Sequence, residues 1–131
     1  MSTLNVSNIT DGTTTVGTSY VVNGSAKAWV NFNGTGTIAV RDSVNVASLT
    51  DNGTGDYKAT FTSSMDSTSY SFQFSTNSNA TVGGAVFCGY QFDGDEKSTS
   101  AIEGHFSYAD PSTSALLDVS EANFLIHGDL A

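Results

Sequence analysis

Few residues in this sequence have side chains that could support chemistry. His105 and His127 are the only histidines, and a carboxylate lies two residues from each, at Glu103 and Asp129. Imidazole and carboxylate could form a two-histidine, one-carboxylate metal site at the axis of an assembly. The sequence shows no close ligand spacing, so the preferred interpretation is two surface histidines that bind no metal.

Two other segments carry reactive side chains. In "DGDEKS", Asp93, Asp95 and Glu96 suggest a cation loop, but the twelve-residue ligand pattern of a calcium loop is absent, so a charged hairpin tip is favoured. Cys88, the single cysteine, lies in the apolar run "AVFCGY" and is expected to be a small core residue. The sequence contains no nucleophile elbow, phosphate-binding loop or zinc-binding pair. We therefore expect no catalytic activity, no metal and no cofactor.

The single tryptophan lies in "AKAWVNFNGTGTIAV". Alternation along this stretch puts Trp29 on the polar face of a strand, together with Lys27 and Asn31. An aromatic ring in that position is either a subunit contact, which we favour, or a stacking platform for sugar. Arg41, one of four basic residues, is either an interface anchor or a solvated strand end, and Asp42 follows it. The candidate subunit-interface residues are thus Trp29, Asn31, Arg41 and Asp42.

The elements that position these residues are predicted to be strands. Alternation recurs in "DYKATFTS" and "SYSFQFS" as well as around Trp29, and no segment of ten residues has helical periodicity. Hairpin turns are predicted at "NGTG" (33–36), "DNGTGD" (51–56) and "DGDE" (93–96), because each contains an Asn-Gly or Asp-Gly pair. Further strands are predicted at 3–9, 14–22, 37–41, 43–49, 84–92, 101–109, 114–119 and 122–128. The fold class is all-β, with a single antiparallel sandwich or jelly-roll-like domain of short strands.

Composition narrows the range of partners. The chain of 131 residues is long enough for one domain with one core, and its net charge of −9 disfavours nucleic acid and anionic membranes as partners. No apolar run approaches the roughly 20 residues of a membrane span, and residues 1–10 do not resemble a signal peptide. We expect the protein to be made in the cytoplasm.

The stretch from residue 26 to residue 70, including "AKAWVNFNGTGTIAVRDSVNVASLTDNGTGDYKATFTSSM", resembles a module of virion proteins in tailed bacteriophages, marine ones especially. "STLNVSNITDGT" is similar to the short lead-in that precedes such modules. The resemblance implies an N-terminal assembly or attachment segment at residues 1–25 and a β-sandwich virion module at residues 26–131. It implies no catalytic residues.

The resemblance implies that the protein is a non-enzymatic structural protein on the virion exterior, of tail-fibre or fibre-tip type. A capsid decoration protein that stabilises the shell is the alternative, and a carbohydrate-binding module for host surface glycan is a second one. The implied partners are other copies of the chain, as a homotrimer, and other virion proteins of the tail or capsid. The implied location is the virion, after synthesis in the host cytoplasm.

Overall fold

A computed structural model of the chain describes residues 2–77, 85–89, 97–109 and 114–131. These residues are mostly extended, and their one helix has seven residues, so the all-β prediction is confirmed. The elements are β1 (Asn8–Thr10), β2 (Thr15–Gly17), α1 (Thr18–Gly24), β3 (Ala28–Asn33), β4 (Ala39–Val44), β5 (Val46–Gly53), β6 (Asp56–Phe61), β7 (Ser71–Thr76), β8 (Ala85–Gly89), β9 (Ala101–Ala109), β10 (Ser114–Leu116) and β11 (Ala122–His127).

Two antiparallel sheets form the sandwich. The four-stranded sheet has the order β4-β3-β11-β7, and the five-stranded sheet has the order β10-β9-β6-β5, with β8 also paired to β9. A separate hairpin joins β1 to β2. In β3, β6 and β11, buried and half-buried residues alternate, as expected when one face of a sheet packs on a core.

Aromatic rings from both sheets fill the core. The Phe32 ring of the four-stranded sheet lies 5.2 Å from the Tyr57 ring of the five-stranded sheet, in an edge-to-face arrangement. Phe124 lies 5.4 Å from Phe32 and 6.2 Å from Phe106, so these rings connect β3, β6, β9 and β11. All four side chains are almost completely buried.

The chain passes from one sheet to the other at Asn45, between β4 and β5. Asn45 has a φ of 55°, a left-handed conformation that asparagine tolerates better than most residues. Its side chain is fixed by the segment after β6, because the Ser63 amide donates to Oδ1 at 2.7 Å and Nδ2 donates to the Ser63 carbonyl at 3.0 Å.

Two hairpins form where the sequence predicts them, although Gly34 is not the left-handed glycine of the first, and the Asn52-Gly53 pair of the second belongs to β5. Antiparallel pairing joins β3 to β4 and β5 to β6. The left-handed glycine after β3 is Gly36 rather than Gly34. In the second hairpin β5 runs through Gly53, so that the two-residue turn is Thr54-Gly55, with Gly55 at a φ of 66°. The third predicted turn, at 93–96, lies outside the described residues.

The N-terminal segment, residues 2–25, differs most from the prediction. A strand is predicted at 14–22, but extended structure stops at Gly17 and α1 follows, so the strand prediction is wrong from residue 18 onward. Every residue of this segment is exposed except Gly17 and Thr18, which are half-buried. Within the described part of the chain, no helix has the length and apolar character needed to cross a membrane.

Candidate functional site

The four predicted interface residues lie together on the outer face of the four-stranded sheet. Alternation in β3 buries Val30 and turns Trp29 and Asn31 outward. Asp42 pairs directly with Asn31 across β3 and β4, so both side chains are on the same face. Trp29 and Asn31 are thus on one face, as the alternation predicts, and Asp42 joins them through strand pairing. A subunit contact at this surface stays a prediction.

A bulge in β4 brings Arg41 to the same face. The register shifts between Asn31 and Phe32, and the Arg41 guanidinium then reaches the Asn31 amide oxygen at 3.3 Å. The guanidinium also donates to the carbonyls of Phe32, at 3.0 Å, and of Ser120. These bonds attach β4 to the segment that precedes β11. Arg41 is exposed but is already a donor to three groups of its own chain.

Two rows of side chains cross this face from strand to strand. Because opposed residues of an antiparallel sheet point the same way, the register gives one row as Val44, Trp29, Leu125 and Gln73. The next row is Asp42, Asn31, Asn123 and Ser75. The first row is largely apolar, and the second is composed of carboxylate, amide and hydroxyl groups.

A shallow groove of about 280 Å³ lies between the rows, lined by the side chains of Trp29, Leu125, Gln73, Ser75 and Asn123. The Trp29 side chain is half-buried along this groove. Asn31 Nδ2 donates to Asn123 Oδ1 at 2.6 Å, which holds the amides of β3 and β11 against each other. The surface thus combines one aromatic ring with several neutral hydrogen-bonding groups.

Sequence reasoning missed Gln73, Asn123 and Leu125 as members of this surface. The alternation in "SYSFQFS" does predict that Gln73 and Ser75 share the polar face of their strand. Nothing in the sequence indicates that β11 lies between β3 and β7, which is what brings these residues to Trp29. Strand order depends on tertiary packing rather than on a local pattern.

The two histidines are on different sheets. His105 is in β9 of the five-stranded sheet and His127 is in β11 of the four-stranded sheet. One chain therefore does not combine both in a single two-histidine site. His105 instead lies beside two carboxylates: its Nε2 is 3.2 Å from Asp56 Oδ1 and 3.5 Å from Glu103 Oε1.

Of the remaining reactive candidates, Cys88 lies within the described residues. The Cys88 thiol donates to the Phe74 carbonyl at 3.1 Å. Cys88 is half-buried and packs against the core, whereas the sequence predicts a residue inside the core. Burial raises the pKa of the thiol, which disfavours the nucleophilic thiolate. Asp93, Asp95 and Glu96 lie outside the described residues.

The N-terminal segment is a second candidate interaction surface. Its exposed apolar side chains include Leu4 at 81%, Tyr20 at 76% and Val22 at 58% exposure. Hydrogen bonds fold the segment on itself, because the Thr18 hydroxyl lies 3.0 Å from the Val6 carbonyl and 3.1 Å from the Ser7 carbonyl. The segment is therefore ordered locally, while its large side chains are left in solvent.

Comparison of the whole chain with models of known protein families, with curated protein sequences and with solved structures finds no match.

Proposed function

We propose that this protein is a non-enzymatic structural subunit of a tailed-bacteriophage virion, of tail-fibre or fibre-tip type, which assembles with copies of itself on the particle exterior. The observation that carries the assembly role is the exposed apolar surface of the N-terminal segment. The virion setting rests on the resemblance of residues 26–70 to phage structural modules. Homotrimerisation is the state that this resemblance implies.

The N-terminal segment has the properties of an attachment arm. A water-soluble domain gains free energy by burying large apolar side chains, at about 25 cal/mol per Å². Leu4, Tyr20 and Val22 remain exposed although a sandwich core is part of the same chain. Exposed apolar patches mark surfaces that bind another protein. We infer that another copy of the chain covers them in the assembled particle.

Removal of residues 2–25 tests the attachment role. The sandwich should still fold, because none of the core residues belongs to this segment. Sedimentation velocity should show a trimer for the full chain and a monomer for the truncated chain, with the same β-type circular dichroism for both. A full chain that stays monomeric, or a truncated chain that still forms the trimer, would contradict the proposal.

Immunogold electron microscopy of particles tests the placement. Label on the tail tip supports the tail-fibre role, whereas label distributed over the head would replace it with the capsid decoration role. A protein that is made during infection but is absent from purified particles would contradict both.

The groove beside Trp29 favours a second candidate function, binding of a neutral host glycan. Sugar rings present C–H groups that pack against the negative face of an aromatic ring, and amide side chains bond to sugar hydroxyls. Trp29 supplies the ring, while Gln73 and Asn123 supply the amides in the same groove. The net charge of −9 disfavours anionic glycans.

The substitution Trp29→Ala separates the two roles of this face. If Trp29 is a subunit contact, the variant should sediment as a smaller species, since loss of a buried interface anchor costs about 2 kcal/mol or more. If the face binds glycan, the oligomer should be unchanged and binding to host cells should be lost. Asn45→Ala is the control for general destabilisation, because Asn45 connects the two sheets and does not line the groove.

A further inference from the structure

We propose that Asp56, Glu103 and His105 form a binding site for one divalent transition-metal cation of the zinc type. The site lies on the outer face of the five-stranded sheet. Asp56 in β6 pairs directly with His105 in β9, and Glu103 precedes His105 by two residues on the same face of β9. Three ligating side chains thus converge across one strand pair. The proposal does not depend on the virion role.

The distances between the ligand atoms fit a shared metal ion. His105 Nε2 lies 3.2 Å from Asp56 Oδ1 and 3.5 Å from Glu103 Oε1. The three residues each offer a ligand atom within 4.8 Å of the others. Two ligands bound tetrahedrally at about 2.1 Å from zinc are roughly 3.4 Å apart. The two imidazole–carboxylate separations are therefore close to those of a common coordination sphere.

The charges in the cluster favour a cation. The Asp56 and Glu103 side chains are 22% and 15% exposed, so water screens their repulsion only in part. Burial, and next the neighbouring Asp56, raise the pKa of Glu103. Lys58 gives partial compensation, because its Nζ lies 4.0 Å from Glu103 Oε2, the oxygen that does not face His105. A bound cation would neutralise both carboxylates.

The ligand set indicates which metals the site would take. One imidazole nitrogen with two carboxylates suits zinc or a related transition metal, whereas calcium and magnesium prefer six or more oxygen ligands. The residue opposite His105 on β8 is Gly89, so this strand pair adds no side chain beside the imidazole. A water molecule can complete a tetrahedral site. The metal would connect β6 to β9 and stabilise their pairing.

Calorimetric titration of the full chain with ZnCl₂ at pH 7.5 tests the proposal. We expect one Zn²⁺ per chain, a higher melting temperature with zinc, and no response to Mg²⁺ or Ca²⁺. His105→Gln and Glu103→Gln should each weaken Zn²⁺ binding at least tenfold. His127→Gln is the matched control, since it removes the only other histidine, on the opposite sheet, and should leave the affinity unchanged.

Nuclear magnetic resonance of the unsubstituted chain provides a second measurement of zinc binding, which is needed if a variant does not fold. Zinc should shift the imidazole resonances of His105 and leave those of His127 in place. Absence of stoichiometric zinc binding would overturn the proposal. So would equal affinity in the His105→Gln and unsubstituted chains, or a zinc-dependent shift confined to His127.

Discussion

The hydroxyl of Tyr57 offers a quantitative test of how the sandwich fixes its turns. The Tyr57 side chain is fully buried, and its hydroxyl lies 2.9 Å from the Gly34 carbonyl and 3.0 Å from Asp118 Oδ1. Asp118 Oδ1 also accepts from the Gly55 amide at 2.8 Å. This network joins the turn after β3 and the turn after β5 to the segment before β11. Tyr57→Phe removes the hydroxyl and keeps the ring.

The expected cost follows from what the hydroxyl contacts. Loss of a buried hydrogen bond to a carbonyl or a carboxylate costs about 1–3 kcal/mol. For a domain of this size, that lowers the melting temperature by about 4–10 °C. Ring packing is retained, because the contacts with Phe32 and Phe106 involve only the aromatic carbons.

The pH dependence of the difference provides a second test. Burial, followed by the hydrogen bond to Asp118, raises the pKa of Tyr57 in the folded protein far above its ordinary value of 10.0. As pH rises above about 10, the unfolded chain loses the phenol proton while the folded chain retains it. Each pH unit above about 10 should therefore cost the unsubstituted chain up to about 1.4 kcal/mol of stability. The Tyr57→Phe variant should not show this loss.

Urea unfolding of both chains at pH 8 and pH 11, monitored by circular dichroism, measures this difference. All other ionisable groups are the same in both proteins, so their contributions cancel in the comparison. The stability advantage of the unsubstituted chain should shrink by about 1 kcal/mol or more between the two pH values. An equal stability of both chains at pH 8, or an advantage that does not change with pH, would refute the reasoning.

Three further substitutions test the packing. Gly55→Ala should lower the free energy of unfolding in urea by about 2 kcal/mol or more. Gly55 has a φ of +66°, and a Cβ there would lie 2.4 Å from the Phe106 carbonyl oxygen. A variant as stable as the unsubstituted chain would contradict this. Phe124→Ala should lower the free energy of unfolding by about 3–5 kcal/mol, since Phe124 is 1% exposed and contacts rings of both sheets. A loss below about 1 kcal/mol in the same assay would exclude a central role of Phe124 in the core. Val40→Lys, on the edge strand β4 at a residue 49% exposed, should reduce light scattering at high concentration; unchanged or increased scattering would contradict a role of this edge in aggregation.

The sequence predicts well the fold class and the sheet face on which each side chain lies, because both depend on the alternation of polar and apolar residues along a strand. Trp29 and Asn31 are on the polar face as expected, and the hairpins are at the predicted places.

The role of each turn glycine is less predictable from the sequence. Gly34 looks like part of an Asn-Gly turn, yet a Cβ there would lie 2.4 Å from the Tyr57 hydroxyl oxygen, so this glycine is needed for close packing. Sequence patterns do not reveal that contact, since it joins residues 23 positions apart.

The same limit explains why the metal-ligand cluster is not visible in the sequence. Glu103 and His105 are neighbours in β9, and their proximity is predictable from spacing. Asp56 joins them only because β6 pairs with β9 in a register that opposes Asp56 to His105. A shift of one residue would turn Asp56 toward the core, so the cluster depends entirely on tertiary pairing.

The groove beside Trp29 and the proposed metal site lie on opposite sides of the sandwich, so each can be tested without disturbing the other. The groove beside Trp29 belongs to the four-stranded sheet, whereas Asp56, Glu103 and His105 belong to the five-stranded sheet. Zinc bound by one chain should therefore stabilise β6 and β9 without changing how many copies associate. Sedimentation velocity with zinc and with a chelator checks this directly. Equal oligomers in both conditions are expected, whereas an oligomer that forms only with zinc would mean that the metal lies between subunits and that the ligand set within one chain is incomplete.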